Sequence, residues 1–176
     1  MTPAVRRRRE GKGKDEVAKV DFVVAFAEPQ DEEVLRAMLL DTGMDLAGEI
    51  EEHVVLRRGG EVVAGGRLYQ AEEELFHLLV FAVAAVERGQ GEGRRLLRAM
   101  SDRPWEYCRD AVRPAGGPFA VTTVARGEAE AFYKKCGFIA CDFSNVPAPF
   151  DGQCEDCPDR AECNPSALVY RAPARC

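Results

Sequence analysis

The sequence predicts an α/β domain built on a mixed β-sheet, and three features support this fold class. β-Rich apolar stretches alternate along the chain with segments of helical periodicity. Residues 75–86 (LFHLLVFAVAAV) are apolar almost throughout, which is typical of a strand buried on both faces. The chain has 176 residues, which is enough for one domain with its own hydrophobic core.

The predicted elements follow the order β-α-β-β-β-α-β-α-β-β. Apolar β-formers mark the strands, helical spacing with capping residues marks the helices, and glycine or proline marks the turns. The strands are expected at 20–27, within 53–70 (a hairpin around Gly59 and Gly60), at 74–86, 118–125, 138–143 and 166–172. The helices are expected within 28–45, from about Gly91 to Met100, and from 127 to the glycine at 137, with a further helical turn near Pro104.

Charge and composition divide the chain into three parts. Residues 1–19 form a basic arm that we expect to be disordered, residues 20–143 the α/β domain, and residues 144–176 a proline- and cysteine-rich extension with the last strand. The net charge is −6, although residues 1–20 hold seven Lys or Arg against three Asp or Glu. A basic arm could bind nucleic acid or anionic lipid, but this one has no aromatic residue and no apolar face, so nucleic-acid binding is not expected.

The sequence contains no membrane or secretory signal. The longest apolar run has twelve residues and includes His77, whereas a membrane-spanning helix needs about 18 or more. The arginines at 6–9 lead into charged residues and not into an apolar segment. We therefore expect a cytoplasmic protein whose seven cysteines are thiols or metal ligands, not structural disulfides.

A glycine-rich loop follows the apolar strand in the stretch VERGQGEGRRLL, residues 86–97. It is either a plain strand-to-helix turn or an anion site, because the free amides and the dipole of a helix N-terminus favour negative charge. Neither the Walker A pattern nor the Rossmann fingerprint fits, since Arg94 stands where the last Rossmann glycine is required.

Three segments together resemble the GNAT N-acetyltransferase superfamily. Arg88, Gly91 and Gly93 match its acetyl-CoA loop, [QR]-x-x-G-x-[GA], and Val83 stands eight residues before Gly91, at the end of an apolar strand, as in the family. Residues 128–138 (EAEAFYKKCGF) are similar to its A-x-x-x-Y-x-x-x-G-F segment. Residues 20–143 are therefore identified as a GNAT domain, with the acyl-CoA N-acyltransferase fold of a central mixed sheet flanked by helices.

The resemblance implies acetyl transfer from acetyl-CoA to a primary amine, by direct attack in a ternary complex. The acceptor would be a small molecule or an amino acid; the alternative is a non-catalytic CoA-binding regulatory module, and a homodimer is compatible with the sequence. The implied cofactor-binding residues are Phe81, Val83, Arg88, Gly89, Gln90, Gly91, Glu92, Gly93, Arg94 and Arg126.

Two catalytic residues follow from the same resemblance. Tyr133 is the candidate acid for the departing thiolate, because a phenol retains a proton at neutral pH. His77 is the candidate base; strict alternation along the strand places it on the same face as Phe81 and Val83. The glutamates at 72–74 are alternatives. Arg126 replaces an asparagine common in the family, and could pair with a CoA phosphate or with a carboxylate of the acceptor.

The extension carries the pattern C-x2-C-x5-C at Cys154, Cys157 and Cys163, which resembles tails on some GNAT proteins of the amino-acid acetyltransferase type. Three thiolates supply most of a structural zinc site, with a fourth ligand from Cys136, Cys141, Cys176, an aspartate or a partner. Disulfides, free thiols and an iron–sulfur cluster are the alternatives.

Overall fold

Seven strands form one mixed sheet in the computed structural model, which describes residues 20–172. The basic arm 1–19, and Cys176 with its three preceding residues, lie outside the described residues. The strands are Phe22–Phe26 (β1), Val54–Arg58 (β2), Glu61–Glu72 (β3), Leu75–Val83 (β4), Ala120–Ala125 (β5), Ile139–Ala140 (β6) and Ser166–Arg171 (β7). The helices are Glu32–Leu40 (α1), Glu92–Asp102 (α2), Glu130–Lys135 (α3) and the short Arg160–Cys163 (α4).

The strand order is β1-β2-β3-β4-β5-β7-β6, and neighbours are antiparallel except for the parallel pair β4–β5. This arrangement confirms the predicted mixed sheet and the predicted order of elements. The last strand is also confirmed. It lies inside the sheet, paired along its whole length with β5, so the C-terminal extension completes the sheet and is not an appended segment.

Helices cover both faces of the sheet. On one face, Leu35 and Leu39 of α1 are fully buried against the sheet. On the other face, Leu96, Leu97 and Met100 of α2 bury the main core together with Tyr133 of α3. We call these the α1 face and the α2 face. No helix among the described residues 20–172 has the length and apolarity needed to cross a bilayer.

A β-bulge in β4 changes which face its residues present. Arg67 pairs with Val80 and Leu68 pairs with Leu78, so Leu79 is an extra residue in β4. Phe76 and Leu78 therefore pack in the same core as Phe81, whereas Val80 and Ala82 pack against α1. The expectation that His77 shares a face with Phe81 and Val83 was wrong, because strict alternation does not hold across the bulge.

Candidate active site

The sheet opens between β4 and β5. The two strands pair only from Leu75 to Leu78 with Ala120 to Thr123, and β4 continues to Val83 without pairing to β5. The amide of Ala84 donates to the carbonyl of Val63, on the side of β3. Successive residues of a strand direct their peptide groups to opposite sides, so those of Val83 and Phe81 point toward the gap. This V-shaped gap, whose apex is the pair Leu78–Thr123, leaves backbone groups available to a ligand that lies along β4 as an added strand.

A cleft of about 650 Å³ occupies the gap and extends to the glycine loop. It brings together most of the residues predicted from the sequence: Phe81, Val83, Arg88, Gly89, Gln90, Gly91, Gly93, Arg94 and Tyr133. Thr42 in the turn after α1 and Tyr133 in the core of the α2 face both line the cleft, so residues from both faces of the sheet border it.

The loop has the features of an anion site. Among residues 20–172, the amides of Gly89, Gly91, Glu92, Gly93 and Arg94 donate to no protein acceptor, while those of Arg88 and Gln90 make only long turn bonds of 3.4 Å. Gly91 has a φ of +99°, a left-handed conformation that favours glycine. The residues present therefore fit the diphosphate of CoA, with the cationic side chains of Arg94 and the previously unpredicted Lys135 on the same cleft.

Close packing explains the second glycine of the motif. A Cβ at Gly93 would lie 2.9 Å from Cγ2 of Val83 and 3.3 Å from the ring of Phe132. The first turn of α2 can therefore approach the end of β4 only with glycine at this position. The loop and the open strand form one wall of the cleft for this reason.

Arg58 at the end of β2 holds both ends of the loop. Its guanidinium donates to Glu87 at 2.5 Å and to Glu92 at 3.1 Å, and both carboxylates are largely buried. The Glu92 side chain is therefore turned away from the cleft, unlike the other loop residues named from the sequence. The sequence motif contains no signal for Arg58, because it pairs with the loop only through the tertiary fold.

Tyr133 lines the α2 side of the cleft and packs against Phe81, Phe132 and Phe138. Burial raises the pKa of Tyr133 far above its ordinary value, and interaction with the Thr123 side chain lowers it only in part. The phenol therefore holds its proton at neutral pH, next to the apex of the gap.

His77 lies on the α1 face, one residue before the apex, and does not line the cleft. Its Nδ1 is 2.9 Å from Oγ1 of Thr122, and its ring stacks on Phe150 of the C-terminal extension with centroids 4.7 Å apart. Burial lowers the pKa of His77 to about 4. At neutral pH the imidazole is therefore neutral and covered.

Arg126 is also outside the cleft lining. It follows β5 on the α1 face, where its Nη1 donates to the carbonyl of Thr42 at 3.3 Å. Thr42, which was not predicted, lines the cleft from the turn after α1. Arg88 reaches the same turn through a 2.6 Å ion pair with Asp41 and also donates to the carbonyl of Val83.

The three cysteines of the tail come close together, but they do not form a recognisable metal site. Burial raises the pKa of the Cys154 thiol, and the neighbouring Cys163 and Cys157 raise it further. Within residues 20–172 no group of three or more His, Cys, Asp or Glu side chains is placed to hold a metal ion. The six described cysteines are free thiols. The residues present therefore do not fit the expected zinc ion, and we assign it no role.

Comparisons with known proteins give the same fold. The N-acetylglutamate synthase of Neisseria gonorrhoeae, solved with coenzyme A and N-acetyl-glutamate, superposes with a TM-score of 0.65 at 18% identity, over 87% of this chain and 35% of that one. The Mycobacterium tuberculosis protein Rv2747, solved with CoA, gives 0.58 at 19% identity, over 86% of this chain and 99% of that one. The ribosomal-protein-S18-alanine N-acetyltransferase of Escherichia coli gives 0.56 at 16% identity, over 89% and 96%.

This chain thus spans about a third of the gonococcal synthase but nearly the full length of the other two. No curated protein sequence matches it. A family model described as "Acetyltransferase (GNAT) domain" matches residues 49–140, slightly more than half of the chain. That segment contains the glycine loop, Tyr133 and the gap between β4 and β5, and the chain belongs to the GNAT acetyltransferase family.

Proposed function

We propose that the protein transfers an acetyl group from acetyl-CoA to the primary amine of a small molecule or amino acid, by direct attack in a ternary complex. The observation that carries this proposal is the cleft that passes through the sheet, with unpaired loop amides at one end and Tyr133 at its side. The thioester of acetyl-CoA, when bound, supplies the activated acyl group.

The residues of the chain have separate roles in this proposal. The loop amides from Gly89 to Arg94 bind the diphosphate, and the peptide groups of Phe81 together with the amide of Val83 pair with the pantetheine arm; the Val83 carbonyl already accepts from Arg88. The acceptor enters from the α1 face through the other mouth of the cleft. The neutral amine attacks the thioester carbonyl, the C–S bond breaks, and Tyr133 gives its proton to the thiolate. The proton that the new amide nitrogen loses passes through water and restores the Tyr133 phenol.

His77 is the weaker catalytic candidate. Phe150 covers its ring, and a pKa of about 4 makes it a poor acceptor for the proton of an ammonium ion. We therefore expect the amine to lose its proton to water before attack. The His77→Gln variant should retain most of the activity at pH 7 to 8.

The test is the full-length protein with acetyl-CoA, a panel of primary amines and amino acids, and a thiol-reactive dye that detects released CoA. We expect thiol release that depends on both substrates, with the acetylated amine identified by mass spectrometry. Tight CoA binding without thiol release on any amine would instead identify a regulatory CoA-binding module. Deleting residues 1–19 should not change the activity; loss of salt-sensitive nucleic-acid binding in that variant would assign the arm another role.

A further inference from the structure

Arg126 follows β5 and lies on the α1 face, beside the mouth of the cleft through which the proposed acceptor enters; we call this opening the acceptor mouth. Alternation along β5 places Thr122, Val124 and Arg126 on the α1 face, since Val121 and Ala125 pack in the core of the α2 face. The guanidinium lies directly over the turn after α1, where a Cβ at Gly43 would be 2.7 Å from its Nη1. It is therefore beside Thr42, which lines the cleft, on the side from which the proposed acceptor enters. Arg88 of the glycine loop reaches the same turn through Asp41.

The positive charge of Arg126 is poorly compensated. Its carboxylate partner is Glu128, at 3.5 Å from Nε, and the Glu128 side chain is 81% exposed. Its other contact is the neutral carbonyl of Thr42. An exposed ion pair at this distance contributes little, so the planar fork of N–H donors remains available to a ligand.

Three other acidic residues, in the turn after α1 and in the segment that precedes β2, pair with other arginines and not with Arg126. Each of these pairs is short, between 2.6 and 2.8 Å, so each carboxylate is already matched by a guanidinium. The pairs are Asp41–Arg88, Asp45–Arg36 and Glu52–Arg67. Compared with Arg88, Arg36 and Arg67, Arg126 has the longest ion pair and the most exposed carboxylate partner, so its guanidinium is the most available of the four to a ligand.

We infer that the acceptor carries a carboxylate near its amine, as an amino acid does, and that Arg126 binds this carboxylate. The inference rests on the proposed function and narrows it to carboxylate-bearing amines. A guanidinium holds a carboxylate in a bidentate manner, which would orient the amine at the apex of the gap. A phosphate of CoA is the competing partner, and the test below distinguishes the two.

The experiment compares L-amino acids with the corresponding amino-acid amides as acceptors for the full-length protein. For the best acceptor, kcat/KM of the acid should exceed that of the amide by about 10- to 100-fold, the effect of one charge-assisted contact. The amide has the less basic and hence more readily deprotonated amine, so its intrinsic reactivity works against this result. In Arg126→Gln the acid should lose its advantage while the amide is unaffected.

A control variant and a binding measurement complete the experiment. Arg103→Gln removes an exposed arginine that pairs with Glu106 on the α2 side, and should keep the preference for acids. Isothermal titration of the same acids and amides into the CoA-bound protein measures recognition without turnover. Preferential binding of acids without CoA release would overturn the proposed function and keep this inference.

Three outcomes would overturn the inference. These are equal use and binding of acids and amides, an unchanged preference in Arg126→Gln, and a weaker affinity of Arg126→Gln for acetyl-CoA, which would return Arg126 to the cofactor site. Acetylation of amines without regard to a carboxylate would leave the acetyltransferase proposal intact.

Discussion

At the scale of single residues, Tyr133 has both the place in the cleft and the protonated phenol that the proposed general acid requires. It lines the cleft and interacts with the side chain of Thr123 at the apex of the gap, and its phenol is protonated at neutral pH, as the proposed acid must be. The family motif predicted the residue type and the helix that carries it. Its burial among three phenylalanine rings, which sets the pKa, comes from packing between distant segments.

Tyr133→Phe should lower kcat by about 100-fold or more, the usual contribution of a positioned acid, with little change in the affinity for acetyl-CoA. Stopped-flow turnover and calorimetric binding measure the two effects. Tyr170→Phe is the control, because Tyr170 donates to Asp102 and does not line the cleft, so its loss should leave kcat unchanged. A fully active Tyr133→Phe protein would show that the thiolate obtains its proton from water.

His77 makes stability depend on pH. Its folded-state pKa of about 4 lies below the unfolded value of 6.5, so the unfolded chain binds the proton more readily. Stability is therefore fully present above about pH 6.5 and is lost as the pH falls toward 4, by about 2 kcal/mol at pH 5.

The His77→Gln variant should lose less stability than the wild type between pH 7 and pH 5, because it has no imidazole to protonate at that position. Urea unfolding of both proteins at the two pH values measures each loss. The difference between the two losses reports on His77, because all other titrating groups are the same in both proteins. Identical losses in the two proteins would mean that His77 is solvated in the folded state and that its pKa is not lowered.

At the scale of elements, the loop between β4 and α2 has the backbone geometry that the proposed diphosphate site needs. Gly91 needs glycine for its φ, and no atom lies within 4 Å of the position where its Cβ would be. A side chain there would project into open space next to the unpaired amides. Suitable substitutions can therefore separate the strain that a non-glycine residue has at this φ from the effect of its side chain on the affinity for acetyl-CoA.

Gly91→Glu should weaken acetyl-CoA binding by about 30- to 150-fold, because a carboxylate takes the space that a diphosphate needs and adds about 2 to 3 kcal/mol of repulsion and lost contacts. Gly91→Ala has the same backbone strain but no added charge, so it should bind acetyl-CoA more tightly than Gly91→Glu does. Gly116→Glu has the same φ, +98°, and the same open surroundings away from the cleft, so its affinity should equal that of the wild type. Equal affinities of Gly91→Glu and wild type would remove the loop from the cofactor site.

At the scale of the whole molecule, the C-terminal extension is part of the central sheet. β7 lies between β5 and β6, and Leu168 is fully buried in the core of the α2 face. The same extension places Phe150 over His77 on the α1 face. The segment after residue 143 therefore supports both sides of the site.

Leu168→Ala should destabilise the protein by about 2 to 5 kcal/mol, the usual cost of a cavity in a core. Ile139→Ala on the edge strand β6, where the side chain is 59% exposed, should cost less than about 1 kcal/mol. Thermal or urea unfolding measures both. Equal, small effects would mean that β7 is not integral to the folded domain, and that the domain ends before the extension.

Local sequence information was sufficient for the order of strands and helices along the chain, and for singling out the glycine loop around Gly91 and Tyr133, which the structure brings to one cleft. These features depend on spacing, turn chemistry and a motif within a few residues, which are all properties of a contiguous segment. Only the tertiary structure decided that His77 lies on the α1 face under Phe150, that Arg58 holds the loop, and that Arg126 lies over the turn after α1. These follow from a bulge in β4 and from pairing between segments far apart in the chain, and neither is encoded in any single stretch of residues.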